Sequence, residues 1–169
     1  RGDFRGGDEV RQSEKRTRNT KDWNRAINAA GRARQWQRAL ELLTQMERPD
    51  VISYTSTISA CARGQQWKQA LELLVQMEKR GVQPNEVTYC AAISACTNGQ
   101  QWERALQLLA KMEKDGVRPN VVCYNATISA CEKGKQSKRA LELLAQMETR
   151  GLQPNVISYN AAISACEKG

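Results

Sequence analysis

The chain has 169 residues, a formal charge of +8 and a sequence pI near 9.4, a balance that favours a polyanionic partner such as nucleic acid or an anionic membrane surface. It contains no histidine, which excludes Ser-His-Asp and Cys-His nucleophiles and most zinc ligand sets. No apolar run approaches the roughly 20 residues that a membrane-spanning helix needs, because charges break every hydrophobic segment.

Residues 1–19 carry only Phe4 and Val10 as sizeable apolar side chains. That is too little to offset chain entropy, so a disordered basic, glycine-rich leader is expected. The chain opens on Arg and closes partway through a repeat, which reads as an excerpt with any targeting peptide outside it. From Thr20 a pattern with a period of 35 residues sets in: Tyr54, Tyr89, Tyr124 and Tyr159 share one slot, Ile58, Ile93, Ile128 and Ile163 another, and Met77, Met112 and Met147 a third. The first unit, 20–50, is shortened and has Trp23 in the tyrosine slot; full units follow at 51–85, 86–120 and 121–155, and a half unit at 156–169. Self-similarity at such a period marks a solenoid, in which each unit buries its apolar face against its neighbours.

Within a unit, the first helix is predicted to start at a capping residue before the aromatic: Asp22, Ser53, Thr88 or Ser158, with Cys123 weakening the cap of the fourth unit. Tyr54, Ile58 and Cys61 fall on one stripe of that helix. Gly64, Gly99 and Gly134 stand where the chain leaves it and are read as supplying a positive φ. The second helix carries Trp67, Ala70, Leu71, Leu74 and Met77 at helical spacing and ends at Gly81, with Pro84 preventing continuation. Ser137 replaces the tryptophan in the fourth unit and predicts a poorer packing layer there. Cys61, Cys96, Cys131 and Cys166 form a file at one slot, read as small buried thiols in a reducing compartment rather than as metal ligands or a redox set. The fold expected is all-α, helical hairpins stacked in an α-solenoid superhelix with first helices lining the concave side and second helices the convex side.

Two repeat families make that shape. Tetratricopeptide repeats run at about 34 residues with a Leu-Gly element that is missing here. The head Val121-Val122-Cys123-Tyr124-Asn125 and the tail Gly151-Leu152-Gln153-Pro154-Asn155, with matching residues in every full unit, resemble the pentatricopeptide repeat family. The resemblance covers residues 20–169 and implies a reader of single-stranded RNA, one base per repeat. It further implies a setting in a mitochondrion or plastid and a role in RNA processing, stabilisation, editing or translation, with other RNA-processing proteins as further partners.

Carried over residue by residue, the fifth and last positions of each unit face the base edge. The pairs are Asn24 with Asp50, Thr55 with Asn85, Cys90 with Asn120, and Asn125 with Asn155, with Asn160 opening the half unit. Aliphatic residues at the second position, Ile52, Val87, Val122 and Ile157, would wedge between bases; Lys21 departs from the pattern in the first unit. A carboxylate only accepts, which suits the ring N–H of uracil or guanine, whereas an amide can donate to the bare ring nitrogen of adenine or cytosine. With Asn at the fifth position going with pyrimidines and Thr with purines, the expected reading is U, A, an unassigned base, then C or U. Cys90 leaves the third unit a poor discriminator, because a thiol is a weak hydrogen-bonding group.

Asn85, Asn120 and Asn155 also follow proline in a turn, where Asn is common for backbone reasons alone. Arg32, Arg63, Lys133 and Lys168 share one slot near the end of the first helix, Asn98 filling it in the third unit. They are expected to contact phosphates, although cations there also favour the helix dipole. No clustered carboxylates, metal-ligand set or phosphate loop stands out, so no cofactor, small-molecule substrate or membrane partner is expected, and any catalytic domain would lie outside this segment. A peptide-binding scaffold using the same groove is the alternative, since fold does not choose between RNA and peptide.

Overall fold

The computed structural model describes residues 19–168. The predicted leader therefore lies outside the described residues except for Asn19, which caps the first helix through its side chain. Among the described residues the regular structure is helical: α1 (Thr20–Arg32), α2 (Trp36–Thr44), α3 (Val51–Arg63), α4 (Trp67–Lys79), α5 (Glu86–Asn98), α6 (Trp102–Lys114), α7 (Val121–Lys133), α8 (Ser137–Thr149) and α9 (Val156–Lys168). The protein is an all-α solenoid of helical hairpins. The shortening of the first unit falls on α2, which has 9 residues where α4, α6 and α8 have 13.

The two helices of a unit bury different amounts of themselves. α3 buries Ser53, Tyr54, Thr57, Ile58, Ala60, Cys61 and Ala62, a broad face of the helix, whereas α4 buries the narrower stripe Ala70, Leu73, Leu74 and Met77. The neighbours explain this. α1, α3, α5, α7 and α9 pack against one another in a file, and each second helix packs on its own first helix and on that of the following unit. Among the described residues, successive second helices make no comparable backbone approach. First helices are thus enclosed on several sides and second helices carry one apolar face. Close spacing in the first-helix file and splay in the second bend the array so that first helices lie on its inner side.

Tyr54, Tyr89, Tyr124, Ile58, Ile93, Ile128, Met77, Met112 and Met147 are fully buried, layer after layer, each large side chain contributing about 1.5–3 kcal/mol. Cys61, Cys96 and Cys131 are buried free thiols, and burial pushes each up to about 11, so they stay protonated and inert. Cys166, in the same slot, is exposed on α9.

Both helix ends are built on the same turn with different residues. After α4, Val82 N–H donates to Met77 C=O and Gly81 N–H to Glu78 C=O, a Schellman closure with Gly81 at φ +74°. After α3, Gln66 N–H donates to Cys61 C=O and Gln65 N–H to Ala62 C=O, and the positive φ of 59° falls on Gln65.

Gly64, Gly99 and Gly134 are therefore not the left-handed residues expected of them: their φ values are −83°, −85° and −83°. Their role is steric. A Cβ on Gly64, Gly99 or Gly134 would sit 2.9, 2.7 or 2.6 Å from the indole Cγ of Trp36, Trp67 or Trp102 of the preceding unit, inside any tolerable contact. Ala33 holds the same slot in the first unit.

Candidate nucleic-acid interface

The last residue of each unit is the N-cap of the next. Asp50, Asn85 and Asn120 have extended backbones, and their side chains accept from the backbone N–H of Ser53, Thr88 and Cys123; Asn155 does the same for Ser158 at 3.1 Å. The caps expected at Ser53, Thr88 and Ser158 lie three residues too late. Those hydroxyls instead accept from the backbone N–H of Asp50, Asn85 and Asn155, completing reciprocal capping boxes. Cys123 cannot return that bond, yet its own N–H still reaches Asn120 Oδ1 at 2.9 Å, so the fourth unit keeps its main cap.

The fifth residue of a unit meets this cap. Asn24 Nδ2 donates to Asp50 Oδ1 at 3.2 Å and Asn125 Nδ2 to Asn155 Oδ1 at 3.2 Å. Thr55 reaches Asn85 through a hydroxyl relay: its Oγ1 lies 2.7 Å from Thr88 Oγ1, which lies 2.9 Å from Asn85 Oδ1. The third residue of the next unit therefore links each pair. Ser53 Oγ lies 2.8 Å from Asn24 Oδ1 and 2.7 Å from Asp50 Oδ1, its one proton serving one acceptor at a time, and Ser158 Oγ lies 2.5 Å from Asn125 Oδ1. Sequence reading missed these hydroxyls as members of the site. The capping-box spacing from Asp50 to Ser53 was the signal available for them.

Cys90 and Cys123 hold the corresponding two positions in the third and fourth units, and there the link is a disulfide, 33 residues apart with a Cα–Cα distance of 4.9 Å. Cys90 is therefore not the free thiol expected at that position. Its sulfur lies 3.7 Å from Asn120 Oδ1 and, bonded to Cys123, has no proton to donate. Asn120 also differs from the other caps because its Nδ2 donates to the Glu86 carboxylate.

Beside this line of polar groups, the second positions form an apolar row. Ile52, Val87, Val122 and Ile157 are 55%, 59%, 62% and 61% exposed, with exposed Lys21 in that slot of α1. Asn85, Asn155 and Asn160 are exposed, Asp50, Thr55 and Asn120 half-buried, and Asn24, Cys90 and Asn125 buried. Burial alone would raise the Asp50 carboxyl, but hydrogen bonds from the Ser53 hydroxyl and N–H, from Asn24 and from the Ile52 N–H outweigh it and hold the group below its ordinary value of 3.8. The site keeps an anion.

At the other end of the first helices, Arg32, Arg63, Lys133 and Lys168 are exposed. Three of the slots reach back one unit. Lys133 Nζ donates to Thr97 C=O at 3.2 Å, Asn98 Nδ2 to Ala62 C=O at 3.0 Å, and Lys168 Nζ pairs with the Glu132 carboxylate at 2.7 Å. The Arg63 guanidinium lies over Gly31, where a Cβ would come within 3.1 Å of it. These side chains staple neighbouring first helices through the carbonyl-rich helix ends while remaining open to solvent.

Sequence profiles agree with this architecture along the chain. The profile described as pentatricopeptide repeat domain matches residues 88–133 and 107–168, the PPR repeat family 49–98 and the PPR repeat 22–51. No curated protein sequence matches. Among solved structures, the pentatricopeptide repeat protein PPR10 from maize superposes with a TM-score of 0.78 at 20% identity over 91% of this chain. PPR10 in complex with an 18-nt psaJ RNA element gives 0.76 at 28% identity over 89%. The PPR domain of Arabidopsis thaliana protein-only RNase P 1 in complex with tRNA gives 0.73 at 16% identity, covering 83% of this chain and 77% of that one. The chain spans 23% of the length of PPR10.

Proposed function

We propose, from the premise that the chain belongs to the pentatricopeptide repeat family, that it holds a single strand of RNA along the inner file of first helices and reads one base per repeat. The observation that carries this reading is the repeated meeting of fifth and last residues at each unit boundary, beside a row of aliphatic side chains more than half exposed. Exposed apolar side chains in register along a surface mark a contact face. One such side chain recurs in each unit from 51 on, the arrangement asked of wedges between successive bases.

The cap also decides what each last residue offers. Capping takes the oxygen of Asn85 and Asn155, so the amide end left for a base is the donor end, suited to the bare ring nitrogen of adenine or cytosine. Asp50 stays ionised and acceptor-only, suited to uracil. The register is U, A, an unassigned third base, and C or U. The cation slots supply charge neutralisation for the backbone.

PPR10 and the RNase P domain were each solved with RNA, which supports an RNA partner. A mitochondrial or plastid setting and a part in RNA processing, stabilisation, editing or translation are in keeping with family membership, and the role read for this segment is binding.

The test is selection from a single-stranded RNA pool with a randomised core at two salt concentrations, with Asn85→Asp beside the parent. Enrichment of U-A-N-C/U, with the second base moving from A towards G in the variant, is expected. Salt-sensitive binding without sequence preference would reduce the site to a generic RNA groove, and salt-insensitive binding to peptides alone would transfer the groove to a scaffold role.

A further inference from the structure

The four unit boundaries share one contact, between the fifth residue of one unit and the third of the next. It is Asn24 with Ser53, Thr55 with Thr88, and Asn125 with Ser158. At the remaining boundary it is Cys90 with Cys123, covalently joined. Three boundaries are polar contacts that a hydroxyl or amide can break and remake when a base arrives. The fourth cannot rearrange while the S–S bond stands.

We infer that the Cys90–Cys123 disulfide silences base discrimination by the unit 86–120, and that its reduction by a dithiol restores a reading group at the third base. This rests on the base-reading assignment above. Oxidised, the fifth position presents a sulfur without a proton, Asn120 Oδ1 is engaged by the Cys123 N–H, and Asn120 Nδ2 by Glu86. Both ends of the Asn120 amide are thus already engaged within the protein, on a half-buried side chain beside exposed Glu86.

The exchange balances without any further reagent. A thiolate of the dithiol attacks the Cys90 sulfur, the less buried of the two at 9% against 0% exposure. The S–S bond breaks with its electron pair on the Cys123 sulfur, which takes a proton. The second thiol of the reductant then attacks its own sulfur in the mixed disulfide, closes the reductant's internal disulfide and releases Cys90, which takes the second proton. Two electrons and two protons pass from the dithiol to the protein. Reduced, Cys90 carries a small S–H beside Asn120, at the position where Thr55 carries a hydroxyl.

The test uses the whole chain, oxidised and after dithiothreitol, with affinities for four RNAs differing only at the third base. The double variant Cys90→Ser, Cys123→Ser serves as a redox-blind mimic of the hydroxyl boundaries. Alkylation in denaturant should label four of the six cysteines before reduction and all six after. The oxidised chain should bind the four RNAs without measurable preference, and reduction should favour a purine at the third base by about threefold, the low end of one net hydrogen bond because a thiol is a weak donor. The serine variant should show that preference with or without dithiothreitol, and the second and fourth bases should not respond to reduction.

Six labelled cysteines before reduction would overturn the proposal. So would an unchanged third-base profile in both the reduced chain and the serine variant while the other units still discriminate, which leaves base reading itself intact. Loss of discrimination at every unit would instead overturn base reading, and this proposal with it.

Discussion

Asp50 performs two tasks with one carboxylate. It caps α3 through the Ser53 N–H at 2.8 Å, and it presents charge beside Asn24. Substitutions separate the tasks. Asp50→Asn keeps a side-chain oxygen for the cap, so stability measured by urea titration should change by less than about 0.5 kcal/mol, while selection at the first base should move from U towards C. Asp50→Ala should cost about 1 kcal/mol and lose preference at the first base. Because the folded-state value lies below 3.8, the carboxylate's contribution is complete above the unfolded value and is lost only as pH falls through the folded one. Selection for U should therefore hold through the neutral range and decay only in acid, as pH falls through the folded-state value of Asp50. At this scale the sequence located the residues and not their geometry. Asn85 could be read as a turn residue or as a base reader, and coordinates show that it is a cap, which fixes the end its amide presents. The disulfide was less legible, because a separation of 33 residues means nothing until the spacing from a fifth residue to the next third residue is known.

At the scale of the element, glycine shows why a correct position was given the wrong reason. A glycine just past a helix ordinarily signals a left-handed residue, and sequence alone does not show that the left-handed residue is instead Gln65, Gln100 or Lys135. The deciding fact is tertiary: Trp36, Trp67 and Trp102, which open α2, α4 and α6, lie over Gly64, Gly99 and Gly134 at the end of the next first helix. Gly99→Ala, compatible with the backbone at φ −85°, should therefore destabilise by about 1–3 kcal/mol through overpacking against Trp67, as read by chemical denaturation. The combination of Gly99→Ala with Trp67→Ser, the residue already present at position 137, should fall well short of the sum of the single effects, since the clash is shared. Helix existence and hairpin pairing were legible because period and apolar stripe agree in every full unit. Helix starts were misplaced by three residues, because capping boxes put polar side chains at both ends of the same turn.

For the whole molecule, the proposed RNA groove makes the basic slots the expected measure of how firmly a strand would be held. Lys133 donates to the Thr97 carbonyl and reaches Glu132 only through space, whereas Lys168 pairs with Glu132 directly, whose carboxyl is held low by Lys168, by Ser164 and, more weakly, by Lys133. Lys133→Gln should lower the slope of log affinity against log salt by about 0.7, one phosphate contact on a single strand, and Lys168→Gln by less, because Glu132 already neutralises it. Titration of labelled RNA over a salt series measures both. The coincidence of cap and unit boundary reaches further than either measurement. When a unit is duplicated or transplanted, it carries with it the start signal of the helix that follows, so each new joint is sound from the outset. Drift at that position is filtered for foldability towards Asn, Asp, Ser and Thr, the residues that cap well. Within that short list substitution is almost free of folding cost, and an array built this way can change the side chains at its unit boundaries over generations without first having to repair itself.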